Sequence, residues 1–348
     1  MLRIVRSGDA IRLTLLAVLQ SRGDMRAQKS IGDILQRFPT ANLTLAPTAI
    51  QRLERLSSHL GHNIYIKRDD LTGFCLGGNK VRKLDYLLSD AKVKNADTLV
   101  TKRATSFSRN AAAAGKALGF DVHVFIIGEE STQNQASQAL FKRLGANLHF
   151  VSGEQDELDA DYHNYVESLK ERGRSVYELH PGGSDAVGTL SYVKAFAEIR
   201  DYSKKSKIHF DKIFHATGSA ATQAGLVLGQ SISGYETSVI GIAISQKTEI
   251  QKNRVLELAG TTAQMLEVDL DDSKVIVDDN YIGPGYPDPS EAGMKATEMF
   301  AQMEGILLDQ VYGGKAAAGV IDYAATGRFS KSDNILFIHT GGNSDLYY

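Results

Sequence analysis

The sequence predicts an α/β protein of two lobes, with mostly parallel sheets covered by helices. Three observations carry that prediction. The chain has 348 residues, about twice the usual length of one domain. From residue 60 onward, short apolar runs alternate with helix-length stretches, the pattern of βαβ crossovers. Glycine is abundant, at 32 copies against 6 prolines, and much of it stands in pairs where strands should end. The hydrophobic fraction of 43% and charged fraction of 23% are those of a globular chain, which excludes collagen, coiled coil and wholesale disorder.

In chain order, the first 24 residues stand apart. Arg3, Arg6, Arg12 and Arg22 surround a short apolar run at 13–19, too short to span a bilayer. A secretory segment is one reading, although no A-x-A-like cleavage site follows; a transit peptide, a frayed extension or a start at Met25 are others. Strands are expected at 63–67, 98–101, 122–127, 147–151, 176–179, 213–217, 239–244 and 335–340. Helices are expected at 80–93, 110–118, 131–144, 157–172, 189–200, 219–232 and 291–303. The run Val122-His123-Val124-Phe125-Ile126-Ile127 is apolar on both faces or nearly so, as a strand covered on both sides should be. The glycine pairs are Gly77-Gly78, Gly182-Gly183, Gly313-Gly314 and Gly341-Gly342. At the carboxyl ends of strands, such pairs let backbone approach a ligand closely.

Several function classes drop out. Lys+Arg 39 against Asp+Glu 41 gives a net charge of −2 and no electrostatic reason for a nucleic-acid or membrane surface. A single cysteine, Cys75, excludes an internal disulfide framework and any multi-thiolate zinc site. No G-x-G-x-x-G, Walker-type loop, H-E-x-x-H or G-x-S-x-G is present. The nine histidines are scattered without metal-ligand spacing, so no metal is expected, and His339 reads as a satisfied core residue.

Two constellations remain. After the run ending in Ala216 come Thr217, Gly218, Ser219, Ala220, Ala221 and Thr222, then a helix. Small residues there expose consecutive backbone N–H groups, hydroxyls add donors, and the helix dipole favours a dianion such as phosphate. The same pattern is also that of an ordinary N-cap in which Ser219 satisfies orphan amides. The second is Gly77-Gly78-Asn79-Lys80-Val81-Arg82-Lys83. A lysine behind a Gly-Gly turn at a helix mouth has its amine near a positive dipole end, which lowers its pKa as a Schiff-base lysine requires. Three cations in four residues also describe a solvated basic turn.

Taken together with their context, these segments resemble the D-cysteine desulfhydrase and 1-aminocyclopropane-1-carboxylate (ACC) deaminase family, pyridoxal-phosphate enzymes of the tryptophan-synthase-β fold type (fold type II). The likeness runs in order through Ile66-Lys67-Arg68-Asp69-Asp70-Leu71, the Gly77–Leu84 segment, Pro181-Gly182-Gly183-Ser184, the 216–225 segment, Gly283-Pro284-Gly285-Tyr286, Leu308-Asp309-Gln310-Val311-Tyr312 and His339-Thr340-Gly341-Gly342. The resemblance implies that Lys80 carries pyridoxal 5′-phosphate and that Thr217, Gly218, Ser219, Ala220, Ala221 and Thr222 hold its phosphate. It implies further that Thr340 faces the pyridine nitrogen and that Tyr286 and Tyr312 are the active-site tyrosines. A phenol there acts as general acid or base or positions the leaving group; core packing is the other reading for each tyrosine.

The sequence also departs from the family. Where Gln-Ser-Asn and then His or Gln usually contact the substrate carboxylate, this chain reads Lys102-Arg103-Ala104-Thr105-Ser106-Phe107-Ser108-Arg109-Asn110, shorter by about two residues. Ser106, Ser108 and Asn110 are the candidate carboxylate donors, or a plain N-cap cluster. Ala220-Ala221 stand where glycines are common, and Gly313 replaces a residue that is acidic in ACC deaminases.

The resulting expectation is a lyase acting by β-elimination on a small amino acid, best D-cysteine, giving pyruvate, sulfide and ammonia. ACC deaminase activity is disfavoured by Gly313. Another β leaving group, or a cofactor-binding homologue with little catalysis, are the remaining alternatives. The expected setting is a cytoplasmic homodimer with no nucleic-acid or membrane partner. The expected organisation is an extension at 1–24, a large cofactor-binding domain from 25–83 and 194–348, and a small domain at 84–193.

Overall fold

The computed structural model describes residues 30–132 and 134–342; the extension at 1–24 lies outside them. Ten strands and eleven α-helices alternate along these residues. Helix α1 (Ile31–Leu35) precedes β1 (Ile50–Arg52), α2 (Glu54–Leu60), β2 (Asn63–Lys67) and α3 (Asn79–Val93). Then follow β3 (Thr98–Lys102), α4 (Ser106–Ala117), β4 (Asp121–Ile127), α5 (Gln135–Arg143), β5 (Asn147–Val151), α6 (Gln155–Glu171) and β6 (Val176–Leu179). Helix α7 (Ala186–Ser206) leads to β7 (Lys212–Thr217), α8 (Ala221–Ser233), β8 (Ser238–Ala243), α9 (Thr248–Leu266), β9 (Ile276–Asp278), α10 (Glu291–Glu304), α11 (Gly313–Ala325) and β10 (Asn334–Ile338).

The strands form two sheets. One has six strands in the order β1-β2-β10-β7-β8-β9, parallel except for the β1–β2 pair. The other has four parallel strands in the order β5-β4-β3-β6. Alternation along the strands of the large sheet divides its core in two. Ile335 and Phe337 of β10 join Ile64 and Ile66 of β2 beneath α2, α10 and α11, whereas Leu336 and Ile338 join Tyr65 beneath α7, α8 and α9. The small sheet buries one face against α3, α4 and α5, and Val100, Phe125 and Val151 of the other against α6. Residues 122–126 are buried throughout, as the two-sided apolar run predicts.

Close helix packing fixes the end of β7 that leads into the 217–222 loop. Gly225 and Gly229 lie one helical turn apart on α8 and face α7. A Cβ on Gly225 would come within 2.5 Å of the Thr189 carbonyl, and one on Gly229 within 2.6 Å of Phe196 Cβ. Only glycine permits this approach.

The structure corrects several expectations. Helices α1, α2, α9 and α11 and the short strands β1 and β9 add to the elements expected from the apolar pattern. Helix α4 begins at Ser106 rather than 110, because Thr105 caps it with a reciprocal Thr105–Ser108 capping box. Gly313-Gly314 do not follow a strand; they open α11. Helices α3 and α7 span the positions 83/84 and 193/194, so any division of the chain there would be bridged by a continuous helix on each side. Among the described residues, no helix is long and apolar enough to cross a membrane.

Candidate active site

The turn before α3 is built on two glycines in the left-handed region, Gly77 at φ 68° and Gly78 at φ 92°. A Cβ on Gly77 would lie 2.3 Å from the Asp70 carbonyl oxygen. The Asn79 amide donates to the Thr340 carbonyl (2.8 Å), which ties the start of α3 to the residues just past β10. Lys80, second in the helix, donates from Nζ to the Gly182 carbonyl (3.4 Å), and Lys83, one turn on, donates to the same oxygen (3.0 Å). Among the described residues, neither amine has a carboxylate within ion-pair distance. Burial lowers the Lys80 pKa to about 8, against a small opposing effect of the contact with Lys83. Lys83 is pushed well below the ordinary lysine value, by burial first and by the neighbouring amine second.

The loop after β7 faces this turn. Helix α8 starts at Ala221, and its N-cap is Ala220, at φ 74° and with no side-chain cap. Ser219 therefore does not serve as the conventional cap that was the alternative reading. The first-turn amides of α8 lack a side-chain partner at the positive end of the helix dipole. Thr217 Oγ1 accepts from Gln251 Nε2 (3.0 Å) and Thr222 Oγ1 from Asn79 Nδ2 (3.1 Å), so each hydroxyl keeps its own hydrogen to donate. Gly218 and Ala221 line the same loop; a Cβ on Gly218 would press within 2.9 Å of Ile244.

The two tyrosines meet. Tyr286, directly after the turn 283–285, is 48% exposed, and its hydroxyl lies 3.1 Å from that of Tyr312 at the start of α11. Asp309 accepts the amides of Val311 (3.0 Å), Tyr312 (2.6 Å) and Gly313 (2.8 Å), which sets the start of α11. The structure does not place Ser106, Ser108 and Asn110 alike. Ser108 is buried, and its hydroxyl is engaged with the Arg103 carbonyl (2.6 Å), the Thr105 carbonyl (3.0 Å) and the Thr105 amide (2.8 Å): this is the geometry of a cap. Asn110 Nδ2 donates to the Gly77 carbonyl (3.3 Å) and the Ser106 carbonyl (3.0 Å), whereas its buried Oδ1 has no hydrogen-bond partner among the described residues. Asn110 thus reaches the Lys80 turn itself. His339 is the satisfied core residue expected: its Nε2 pairs with the Leu307 carbonyl (2.9 Å) and its ring is fully buried.

The family profile described as pyridoxal-phosphate dependent enzyme matches residues 41–341. The chain belongs to that family. It is 38% identical over 319 residues to the D-cysteine desulfhydrase of Serratia proteamaculans, covering 90% of this chain and 96% of that protein. It is 37% identical over 318 residues to the putative 1-aminocyclopropane-1-carboxylate deaminase of Pyrococcus abyssi, covering 90% and 95%. The crystal structure of an ACC deaminase homologue superposes with a TM-score of 0.82 at 35% identity, over 90% of this chain and 94% of that one. The processed form of threonine deaminase isoform 2 from Solanum lycopersicum (TM-score 0.65, 18% identity, 90% and 85% covered) shares the fold.

The residues of this member of the pyridoxal-phosphate family fit the cofactor, as one position shows. A Cβ on Gly182 would lie 2.8 Å from Ser219 Oγ and 3.3 Å from Lys80 Nζ. An amine and an uncapped helix start therefore flank one glycine, and any side chain there would fill the space between them. Asn79, Lys83 and the Gly182 carbonyl join the site without a signal in the sequence around them. Asn79 and Lys83 stood inside the quoted Lys80 segment, but their partners are 143 and 99 residues distant in sequence and leave no local signal.

Proposed function

We propose that the chain is a D-cysteine desulfhydrase, converting D-cysteine and water to pyruvate, ammonia and hydrogen sulfide. The observation that carries this reading is that Lys80 Nζ and Ser219 of the 217–222 loop meet at Gly182, each within 3.3 Å of the place a side chain would take there. Lys80 holds the cofactor through Nζ, and the amides of the loop from Gly218 to Thr222 hold its phosphate, with the hydroxyls of Thr217, Ser219 and Thr222 as further donors. When bound, the cofactor supplies an electron sink conjugated to the substrate nitrogen. Thr340 offers the ring nitrogen a neutral hydroxyl, which leaves that nitrogen largely unprotonated and suits β-elimination.

The chain's own groups move the protons. An amine of pKa near 8 is neutral often enough at physiological pH to accept the Cα proton at Nζ. The Tyr286–Tyr312 pair delivers a proton from a phenol oxygen to the departing sulfur. Ser106 and Asn110 receive the substrate carboxylate, Asn110 by turning one amide hydrogen away from its carbonyl partners at Gly77 and Ser106; Ser108 supports them by capping α4. The position after Tyr312 is Gly313, and Asp309 beside it is committed to three amides, so no free carboxylate follows the tyrosine. That favours elimination of a thiol over opening of a cyclopropane ring. Closure of the lobes built on the two sheets would exclude water from the reacting centre.

The purified enzyme should release pyruvate and sulfide from D-cysteine faster than from L-cysteine, and faster than keto acid from ACC. Keto-acid release from ACC alone would overturn the substrate assignment, and none from any of the three would favour the cofactor-binding homologue. Two finer expectations accompany this reading, a cytoplasmic location and a homodimer, checked by cell fractionation and by light scattering.

A further inference from the structure

Lys315 lies on the first turn of α11 and is fully buried. Its Nζ donates to the carbonyl of Gly285 (2.8 Å) and to that of Ile244, just past β8 (3.3 Å). Burying an ammonium group is unfavourable unless it is well paired. Its nearest acceptors are two neutral carbonyls, and the carboxylates of Asp288 and Asp309 act on it from a greater distance. A methionine of similar length would fill the same space without that penalty, so the contribution of the charge lies in what it holds.

What it holds is the residue before Tyr286. The turn Gly283-Pro284-Gly285 is anchored at one end, where a Cβ on Gly283 would strike Ser290 at 2.5 Å. Its other end meets none of the described residues within 4 Å of a Cβ on Gly285, whose φ is 138°. The bond from Lys315 falls at that open end. Tyr312 stands at the start of the same helix, three residues before Lys315. One helix start therefore carries Tyr312 directly and Tyr286 through the lysine.

We propose that Lys315 is a positioning residue for Tyr286: by donating to the Gly285 carbonyl, it fixes the turn that brings the Tyr286 hydroxyl onto that of Tyr312. The proposal rests on the reading that this tyrosine pair handles the leaving-group proton. The experiment is a double-mutant cycle on the holoenzyme with Lys315→Met and Tyr286→Phe, together with backbone hydrogen exchange at Gly285 and Tyr286 in the cofactor-free protein. Lys315→Met is expected to lower kcat about tenfold or more, leave KM for D-cysteine within about twofold, and speed exchange in the turn. In the Tyr286→Phe background it is expected to add nothing, and Lys315→Arg should restore part of the rate. Equal losses in both backgrounds, or unchanged exchange, would overturn the proposal. Full activity in Tyr286→Phe alone would overturn the role given to the tyrosine, and exchange in the turn would still decide whether Lys315 holds it. Should Lys315→Met not fold, Lys315→Gln carries the same cycle.

Discussion

On the side of α3 that faces β2 and α7, Arg82 donates to both oxygens of Glu198 (2.8 Å each) and to Asp69 Oδ1 (2.9 Å). Lys67 adds a bond to Glu198 (2.7 Å), and the Tyr192 hydroxyl donates to Asp69 (2.7 Å). On the other side, Lys80 and Lys83 meet the carbonyl of Gly182 and, among the described residues, no carboxylate within ion-pair distance. Burial weighs against the charged form on both sides. Around Arg82 it is outweighed: Asp69 and Glu198 raise the arginine's pKa, and Arg82 and Lys67 hold both carboxyls below their ordinary values. Around Lys80 nothing outweighs it, and the amine loses its proton readily. Within four residues of one helix, the partner rather than the burial separates a structural cation from a reactive amine.

The comparison breaks most visibly if the paired side is cut. Arg82→Met leaves Asp69 and Glu198 buried without their main partner, and the free energy of unfolding should fall by about 3–5 kcal/mol in denaturant titration. A loss below about 1 kcal/mol would show that the network does not hold α3.

Cutting the other side should do the reverse. Lys80→Ala is expected to lower kcat/KM at least about a thousandfold, some 4 kcal/mol of transition-state stabilisation, with no loss of stability at neutral pH, because the buried amine it removes opposes folding there. Borohydride reduction of the holoenzyme should label Lys80; label on Lys83, Lys102 or Lys315 would reassign the cofactor lysine. The pH dependence follows from the same lowered pKa. Between about 8 and the ordinary lysine value of 10.5, the unfolded amine keeps a proton that the folded one has released. Stability of the cofactor-free protein should therefore rise with pH through that window, and acylation of Lys80 should show a midpoint near pH 8.

The smallest effects test the shortened loop. Asn110→Ala should raise KM by about ten- to a hundredfold, equivalent to roughly 1.5–3 kcal/mol for one bond to a charged group. Ser108→Ala should cost about 1 kcal/mol of stability and leave kinetics unchanged. A kinetic defect in Ser108→Ala with intact stability would reverse the division between them.

How much of this was legible in the sequence depended on where the signal resides. β4 and β10 are runs of large apolar residues, and covered strands require such runs. Helix α9 buries Gln251, Val255, Ala259, Thr262, Ala263 and Leu266, a face too mixed in polarity to read as an amphipathic stripe. Helix α11 opens on two glycines and hides its start as a loop. Small residues at a helix mouth make the Lys80 turn and the 217–222 loop stand out in the sequence, but the same patterns suit a solvated turn and an ordinary N-cap; only the ordered likeness of the surrounding segments to one family gives them a proposed role. The capping role of Ser108 was not legible, because a serine in that position either caps or binds, and only the Arg103 and Thr105 carbonyls decide which.

The insertion of β10 between β2 and β7 sets an order of assembly. Asn334 pairs with Asn63, so the strand that completes the large sheet is synthesised long after the one it lies beside. At about 5–20 residues per second, the delay is on the order of 10 to 60 seconds. Through that interval β2 presents an unpaired edge, and α3 lacks the Thr340 carbonyl that anchors its first amide. The nascent chain thus carries its reactive lysine before the site around it exists. Capture of the cofactor becomes a late event in the life of the molecule, one that reports a completed fold.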